Sequence, residues 1–146
     1  MKIPYTQVMI RGYGRTAERI YRPLVPLEIF GPSASENIAG LADTGADDTL
    51  LPEYFINKLG VVIRSGDRAM ISGLGGSFVV QYSLLDMEIA TSDEVYRWSA
   101  RVGFHAGHQI VLGHQGFFDG FTASFNGRRR LLTLTPNGTA SPPSGY

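Results

Sequence analysis

Three carboxylates lie within six residues of a glycine-containing turn in the segment LADTGADDTLLP, residues 41–52. They are Asp43, Asp47 and Asp48, and apolar residues flank them on both sides. Carboxylates that share a site repel one another, so a close cluster of them is typical of a site that uses the charge. This segment is therefore the first candidate for chemistry in the chain.

The Asp-Thr-Gly part of the segment has the composition of a catalytic turn. Asp43 supplies an acceptor or an acid, Thr44 a hydroxyl that can lock the turn, and Gly45 a tight bend. One carboxyl cannot easily activate water and protonate a leaving group in one step, whereas two carboxyls that share a proton can do both. Since the chain has one Asp-Thr-Gly, a twofold dimer would supply the pair. A surface turn is the alternative.

The composition limits the functions that the chain can have. It has 146 residues, 13 basic and 13 acidic side chains, and no cysteine. The balanced charge gives no field that would recruit nucleic acid, so we expect no nucleic-acid partner. Without cysteine there is neither a disulfide framework nor a thiolate nucleophile. The length predicts one domain over residues 1–135, followed by a flexible polar tail of Pro, Gly and Ser over residues 136–146.

The N-terminal segment MKIPYTQVMI has one lysine but neither a continuous apolar run nor a small-residue cleavage site. No eighteen apolar residues run together anywhere in the chain. These features predict neither a secretory signal nor a membrane-spanning helix, so we expect no membrane partner and a cytoplasmic location.

Apolar and β-branched residues come in short runs that glycine and proline interrupt, which predicts an all-β fold. The expected strands are residues 6–10, 21–30, 38–42, 69–72, 78–90, 95–104, 109–112, 121–126 and 130–135. Two short helices are expected, one with Pro52 at its first position and Gly60 as its C-terminal cap and one over residues 114–120. Neither could cover a parallel sheet, so a barrel-like or folded antiparallel sheet is predicted.

Four segments, taken together, resemble the retropepsins, the homodimeric aspartic proteases of retroviruses and their bacterial and cellular relatives. The resemblance covers about residues 20–125, and the segments come in family order. They are RPLVPLEI (22–29), the catalytic-loop match LADTGADDTLLP (41–52), the flap match MISGLGGSFVV (70–80) and IVLGHQGFF (110–118). The resemblance implies a retropepsin-like barrel, activity as a homodimer, and a non-viral member of the family.

The resemblance also implies a role for each residue of the catalytic loop. Asp43 would be the catalytic carboxyl, Thr44 would brace the two loops across the dimer axis, and Gly45 would contact the substrate main chain. Asp47 and Asp48 would bind the substrate backbone beside the catalytic pair. On this interpretation they are binding groups and not additional acids.

Further positions match those that line the substrate cleft of the family. The apolar ones would form subsites for side chains beside the scissile bond, although core packing is the alternative for each of them. They are Leu41, Leu50, Ile71, Leu74 and Val111. In the flap, Gly73 and Leu74 would lie at a hairpin tip that closes over an extended peptide through main-chain hydrogen bonds. An ordinary hairpin turn is the alternative here.

The sequence departs from the viral pattern after Gly113. Viral members often carry Arg-Asn there, and the arginine pairs with an acidic residue of the catalytic loop. His114 and Gln115 stand at these positions, so the group that braces Asp47 is left open. Viral members also weave both termini into the dimer interface, and the resemblance leaves open whether residues 3–10 and 131–135 do so here.

Two other patterns could indicate a nucleotide-binding site and a metal site. GYGRTA, residues 12–17, fits a dinucleotide fingerprint, which requires a helix of several turns and a second, parallel strand. Pro23 would stop such a helix within about two turns, so a β-turn between two early strands is predicted instead. His105, His108 and His114 look superficially like metal ligands, but they lie in a glycine-rich loop or strand end without a companion cysteine. We predict no metal and no organic cofactor.

The pattern as a whole indicates a homodimeric aspartic endopeptidase. It would hydrolyse peptide bonds in extended, largely apolar segments of a peptide or protein substrate, through water activated by a pair of Asp43 residues. The alternative is a catalytically silent dimeric peptide-binding or scaffold module with the same fold, because folds outlive chemistries.

Overall fold

The short apolar runs form strands because β-branched and aromatic side chains pack well on a pleated, half-buried surface. The computed structural model of the protein describes residues 1–10, 16–73 and 76–138. Within these ranges the chain is nearly all β, which confirms the predicted fold class. The strands are β1 (Lys2–Pro4), β2 (Thr6–Ile10), β3 (Glu18–Arg22), β4 (Leu24–Phe30), β5 (Ser35–Ala42), β6 (Leu50–Pro52), β7 (Arg68–Gly73), β8 (Gly76–Ala90), β9 (Val95–His105), β10 (Val111–Leu112), β11 (Phe121–Asn126) and β12 (Leu131–Pro136).

The largest sheet has seven strands in the order β4-β5-β10-β6-β9-β8-β7. Strand β8 also pairs with β4, at Asp86–Glu88, which closes the sheet into a barrel. Most pairs are antiparallel, as expected, but β5–β10 and β6–β9 are parallel. In the β5–β10 pair, the two-residue strand β10 lies between β5 and β6 and runs antiparallel to β6. It therefore runs parallel to β5.

Alternate residues of the barrel strands point inward and form the main core. In β4, Val25, Leu27 and Ile29 are buried, and residues of β8, β9, β11 and β12 pack against them. This period of two is what half-buried strands require. The strands therefore hold the loops at their ends on a rigid frame.

The first predicted helix is present and the second is not. Helix α1 (Tyr54–Leu59) ends at Gly60, whose φ of 71° is the left-handed conformation of a glycine C-cap. Pro52 ends β6 and does not begin the helix, which has Glu53 as its N-cap. Residues 114–120 form a succession of turns, in which the Phe118 and Asp119 amides donate to the carbonyls of Gly113 and His114, five residues earlier, instead of four as in an α-helix.

The chain ends pair with each other in a separate three-stranded sheet of order β1-β12-β11. Ile3 lies opposite Leu132, and the terminal amino group donates to the carbonyl of Leu134 at 2.7 Å. Pro136 ends β12, and Asn137 still donates to Gly120. Ordered contacts therefore extend just past residue 135. Residues 139–146 of the predicted tail lie outside the described residues.

Strands β2 and β3 form a two-stranded antiparallel sheet in which Ile10 lies opposite Glu18. A dinucleotide fingerprint would require a parallel pair joined by a helix, so the antiparallel pairing agrees with the predicted turn. Residues 11–15, which hold most of GYGRTA, lie outside the described residues. No helix in the part of the chain that the structure describes is long and apolar enough to cross a membrane.

Candidate active site

The Asp-Thr-Gly turn begins where β5 ends. The Asp43 amide donates to the carbonyl of Leu112 in β10 at 3.0 Å, and the Ala46 amide donates back to the Asp43 carbonyl at 3.2 Å. The Gly45 amide donates to Oδ1 of Asp43 at 2.9 Å. A Cβ at position 45 would lie 3.2 Å from this oxygen, so glycine allows the close approach. The carboxylate is thus held in one orientation while it remains partly exposed.

The segment after β10 braces the rest of the loop through its backbone. The His114 amide donates to the Ala46 carbonyl at 2.9 Å, and the Gln115 amide donates to the Asp47 carbonyl at 2.8 Å. The His114 ring adds a bond from Nε2 to the Thr44 carbonyl at 2.9 Å. Main-chain hydrogen bonds and one imidazole therefore hold the loop.

Gly113 allows these two segments to approach each other. A side chain there would clash with the Asp48 carbonyl oxygen and lie 2.8 Å from the Ala46 carbonyl oxygen. The Gly113 amide donates to Oγ1 of Thr49 at 3.2 Å. Thr49 is fully buried, and it is the only fully enclosed polar side chain within the described ranges.

Asp48 points toward the barrel strand β8. The Tyr82 hydroxyl donates to Oδ2 of Asp48 at 2.9 Å, and the Arg101 guanidinium lies 3.5 Å from the centroid of the Tyr82 ring. Burial, followed by the hydrogen bond to Asp48, raises the pKa of the Tyr82 hydroxyl above its ordinary value. Tyr82 therefore keeps its proton, and acts as a donor, throughout the neutral range.

The apolar positions predicted to line the cleft lie close to one another. Leu50, Val80 and Tyr82 form a small buried cluster, against which Ile71 and Val111 pack. It is separate from the main barrel core. The cluster joins Leu50 of β6 and Val111 of β10 to the β7–β8 hairpin. Leu41, the remaining predicted position in the described residues, is half-buried and lies opposite Val111 in the β5–β10 pair.

The glycine-rich segment forms the end of the β7–β8 hairpin. Gly73 pairs with Gly76, and among the described residues no atom lies within 4 Å of a Cβ built at either position. Leu74 and Gly75 lie outside the described residues. Phe78 is in register with Ile71 and therefore lies on the same hairpin face. Its ring is 5.9 Å from that of His105.

Three side chains of this region, Thr49, Phe78 and Tyr82, were not predicted as site residues. For the two aromatic residues a signal was available. Alternation along β8 puts Phe78 and Tyr82 on the face of Val80, and strand periodicity alone indicates that shared face. For Thr49 no comparable signal exists, because its partner, Gly113, is distant in the sequence.

Two of the three histidines, His105 and His114, interact with backbone groups. Nδ1 of His105 accepts from the Gly107 amide at 3.1 Å, and its Nε2 contacts the Gln109 carbonyl at 2.8 Å. The ring of His114 contacts the Thr44 carbonyl, as described above. Within the described ranges, no group of three or more His, Asp or Glu side chains is arranged to hold a metal ion.

No protein-family model and no curated protein sequence matches the chain. Among solved structures, the chain is similar to the EIAV protease complexed with the inhibitor HBY-793. The sequence identity is 24%, the TM-score is 0.44, and the alignment covers 64% of this chain and 82% of that chain.

Proposed function

We propose that this chain is an aspartic endopeptidase that acts as a homodimer. The observation that carries the proposal is the geometry of Asp43. Its carboxylate is oriented by the Gly45 amide at 2.9 Å and is partly exposed, and its loop continues into the arm that carries Leu50 and the small apolar cluster. An oriented, accessible carboxylate beside apolar side chains is suited to bind and hydrolyse an apolar peptide segment.

The second carboxylate of the reaction comes from the partner copy of Asp43. Within one chain the nearest candidates in sequence are Asp47 and Asp48, and Asp48 is bound by the Tyr82 hydroxyl at 2.9 Å. Asp47 is held by its backbone, which accepts from Gln115. A twofold axis beside the Asp-Thr-Gly turn gives two equivalent carboxylates from one sequence segment. Thr44 and Gly45 would then contact the partner loop and the substrate main chain.

The chemistry follows from two carboxyls that share one proton. The ionised carboxylate takes a proton from water as the water oxygen attacks the peptide carbonyl carbon, and the protonated carboxyl donates its proton to the carbonyl oxygen. The tetrahedral intermediate collapses when a carboxyl protonates the amide nitrogen and the C–N bond breaks. No step requires a metal ion, an organic cofactor or a covalent enzyme intermediate.

The surrounding residues would bind the substrate. Asp47 and Asp48 would accept hydrogen bonds from its backbone, and Gly73 and Leu74 would cover it from the flap. The apolar positions would receive side chains next to the scissile bond. These positions are Leu41, Leu50, Ile71, Leu74 and Val111.

The test is cleavage of a diverse peptide mixture, read by mass spectrometry across pH 4 to 7 at high protein concentration. The Asp43→Asn variant should abolish every cut that the unmodified protein makes. Asp93→Asn is the matched control, because Asp93 is exposed in the turn between β8 and β9. This variant should make the same cuts as the unmodified protein. No Asp43-dependent cut in a sample that light scattering shows to be dimeric would contradict the proposal and favour the peptide-binding module.

A further inference from the structure

The basic and acidic side chains are unevenly distributed along the chain. Residues 1–23 and 126–146 together carry eight basic residues and one acidic residue, whereas residues 24–125 carry five basic and twelve acidic ones. The net charge, on which the expectation of no nucleic-acid partner rested, averages over these two parts. A local field depends instead on where the fold places the individual charges.

The fold brings the two basic ends of the chain together. The Tyr5 amide, just before β2, donates to the Arg130 carbonyl in the turn between β11 and β12 at 2.8 Å. The Arg130 guanidinium carbon lies 3.4 Å from the centroid of the Tyr21 ring on β3. Arg19 is two residues before Tyr21, so both side chains point to the same face of the β2–β3 hairpin. The hairpin and the turn therefore form one surface.

Four exposed arginines form a basic patch on this surface, around Tyr21. They are Arg19, Arg128, Arg129 and Arg130. Among the described residues the salt bridges use other cations, those of Met1, Lys58 and Arg97. The single carboxylate of the two chain ends is that of Glu18, which precedes Arg19 on the strand and therefore points to the opposite face. The patch thus carries positive charge that no carboxylate of the described residues pairs.

Arg130 is held in an unusual way. Its φ of 53° lies in the left-handed region, and it is the one residue other than glycine with a positive φ among the described residues. This conformation favours glycine or asparagine, and a long side chain there carries a cost. The contact with the Tyr21 ring offsets part of that cost and fixes the guanidinium at the surface.

The composition of the patch favours phosphate as the ligand. All four of its cations are arginines, although lysine would supply the same charge. The planar guanidinium matches phosphate oxygens with paired N–H donors, whereas an ammonium is a point charge. Four arginines from two chain segments present several such donors side by side. This arrangement suits a chain of phosphates better than a single one.

Apolar surface beside the arginines favours a single strand over a duplex. Met9 lies opposite Arg19 in the β2–β3 pair, on the same face, and 59% of its surface is exposed. Tyr21 is 37% exposed. A single strand offers unstacked bases to such side chains, whereas a duplex keeps the faces of its bases inside the stack. The patch also lies on a hairpin and a turn, and no helix is present there to enter a groove.

We propose that the basic patch binds single-stranded nucleic acid. The four arginines contact successive phosphates, and Met9 and the exposed edge of Tyr21 contact bases. Since phosphates carry no sequence information, the binding is independent of sequence. The inference goes beyond the proposed protease activity, because it requires neither Asp43 nor a peptide substrate.

The test is fluorescence anisotropy of a labelled oligo(dT) of about 20 nucleotides, titrated with the full chain between about 50 and 200 mM salt. Four phosphate contacts predict that log K falls with log salt at a slope of about −3. The double variant Arg128→Gln, Arg129→Gln should bind about tenfold more weakly and halve the slope, because two of the four contacts are lost. No binding, or an unchanged affinity and slope in this variant, would overturn the inference.

The double variant Arg64→Gln, Arg68→Gln is the matched control. Both residues are exposed, and both lie in the acidic part of the chain, before and at the start of β7. The substitutions change the net charge by the same amount, but they should leave the affinity and the slope unchanged. An equal loss in the control would show that binding follows total charge and would contradict the patch.

Met9→Ser tests the contact with bases. It should weaken oligo(dT) binding several-fold without changing the salt slope, because no charge is removed. A duplex of the same length should bind more weakly than the single strand. Tighter binding of the duplex, or full affinity in Met9→Ser, would contradict the assignment to a single strand.

Vesicles with about one third phosphatidylserine separate nucleic acid from an anionic membrane surface. The protein should remain in the supernatant when these vesicles are sedimented. Sedimentation with vesicles in the absence of oligo(dT) binding would replace the inference by membrane attachment. Asp43→Asn should bind oligo(dT) as the unmodified protein does, so a failure of the protease proposal leaves this result unaffected.

Discussion

The backbone amide of Gly113 donates a hydrogen bond to the side-chain oxygen of Thr49, 64 residues earlier in the chain, at 3.2 Å. Both groups are buried, and the bond joins the end of the Asp-Thr-Gly loop to the segment behind it. The Thr49 backbone contributes to the same contact, because its amide donates to the Gln115 carbonyl at 3.0 Å. The shape of the candidate active site therefore depends on a contact between distant segments.

Replacing Thr49 by valine should destabilise the protein. Valine has nearly the same shape but removes the acceptor of the buried Gly113 amide, and an unsatisfied buried donor costs about 1–3 kcal/mol. Thr49→Ser keeps the hydroxyl and should retain more of the stability. Urea denaturation of the three proteins measures the free energy of unfolding. Equal values for the valine and serine variants would show that the hydrogen bond does not contribute.

Gly113→Ala should be more damaging than most glycine substitutions. The added methyl group would clash with the Asp48 carbonyl oxygen and lie 2.6 Å from the carbonyl carbon. Since backbone must move, we expect a loss of about 1–3 kcal/mol in the free energy of unfolding. Gly127→Ala is the control, because a Cβ there would meet no atom within 4 Å. A thermal unfolding midpoint equally lowered in both variants would contradict this explanation.

Mixing experiments test whether the active unit contains two copies of Asp43. If both are required, an equal mixture of unmodified and Asp43→Asn chains, after subunit exchange, should have about a quarter of the activity of the same total amount of unmodified protein. Only about a quarter of the dimers then contain two copies of Asp43. A monomeric enzyme would keep about half. The same mixture with Asp93→Asn should lose nothing, which controls for dilution and handling.

Tyr82 should make the protein less stable at alkaline pH. Its pKa is raised in the folded state, mainly by burial, so an unfolded tyrosine releases its proton first as the pH rises. The free energy of unfolding should therefore be unaffected by this group below about pH 10, and should fall as the pH rises from there through the raised pKa. Tyr82→Phe should remove this part of the decline.

Urea denaturation between pH 8 and 11 measures the effect, with Tyr21→Phe as the matched control for a tyrosine that is more exposed. A decline of the same slope in unmodified protein and Tyr82→Phe would show that other groups cause the alkaline loss of stability.

Local patterns in the sequence predicted most of the strands. β2 and β11 were predicted with their bounds, and β8 and β9 within a few residues. These strands have apolar residues at alternate positions, and that alternation is a property of the strand itself. By contrast, β1 and β6 were missed. Each has three residues, too few to establish a period, and each exists because a distant strand pairs with it.

The prediction of a second helix over residues 114–120 was wrong because contacts with distant segments determine the structure there. HQGFFDG has aromatic residues at a spacing that a short helix would accept, but the segment forms turns in which the Gln115 and His114 amides donate to the Asp-Thr-Gly loop. The Trp98 indole also donates to the Gly116 carbonyl at 2.9 Å. In a helix over residues 114–120 the Gly116 carbonyl would accept from the Gly120 amide, which donates to the Phe117 carbonyl instead.

The sequence by itself determined the all-β class and the location of the carboxylate turn, because strand periodicity and the special backbone of Asp-Thr-Gly are local properties. It also predicted that Leu50, Ile71 and Val111 would lie together, through the family resemblance. Only the tertiary structure decided how the turn is held and which side chain occupies Asp48. Gly113, Thr49 and Tyr82 act through contacts between distant segments, and such contacts leave no period or motif in the chain.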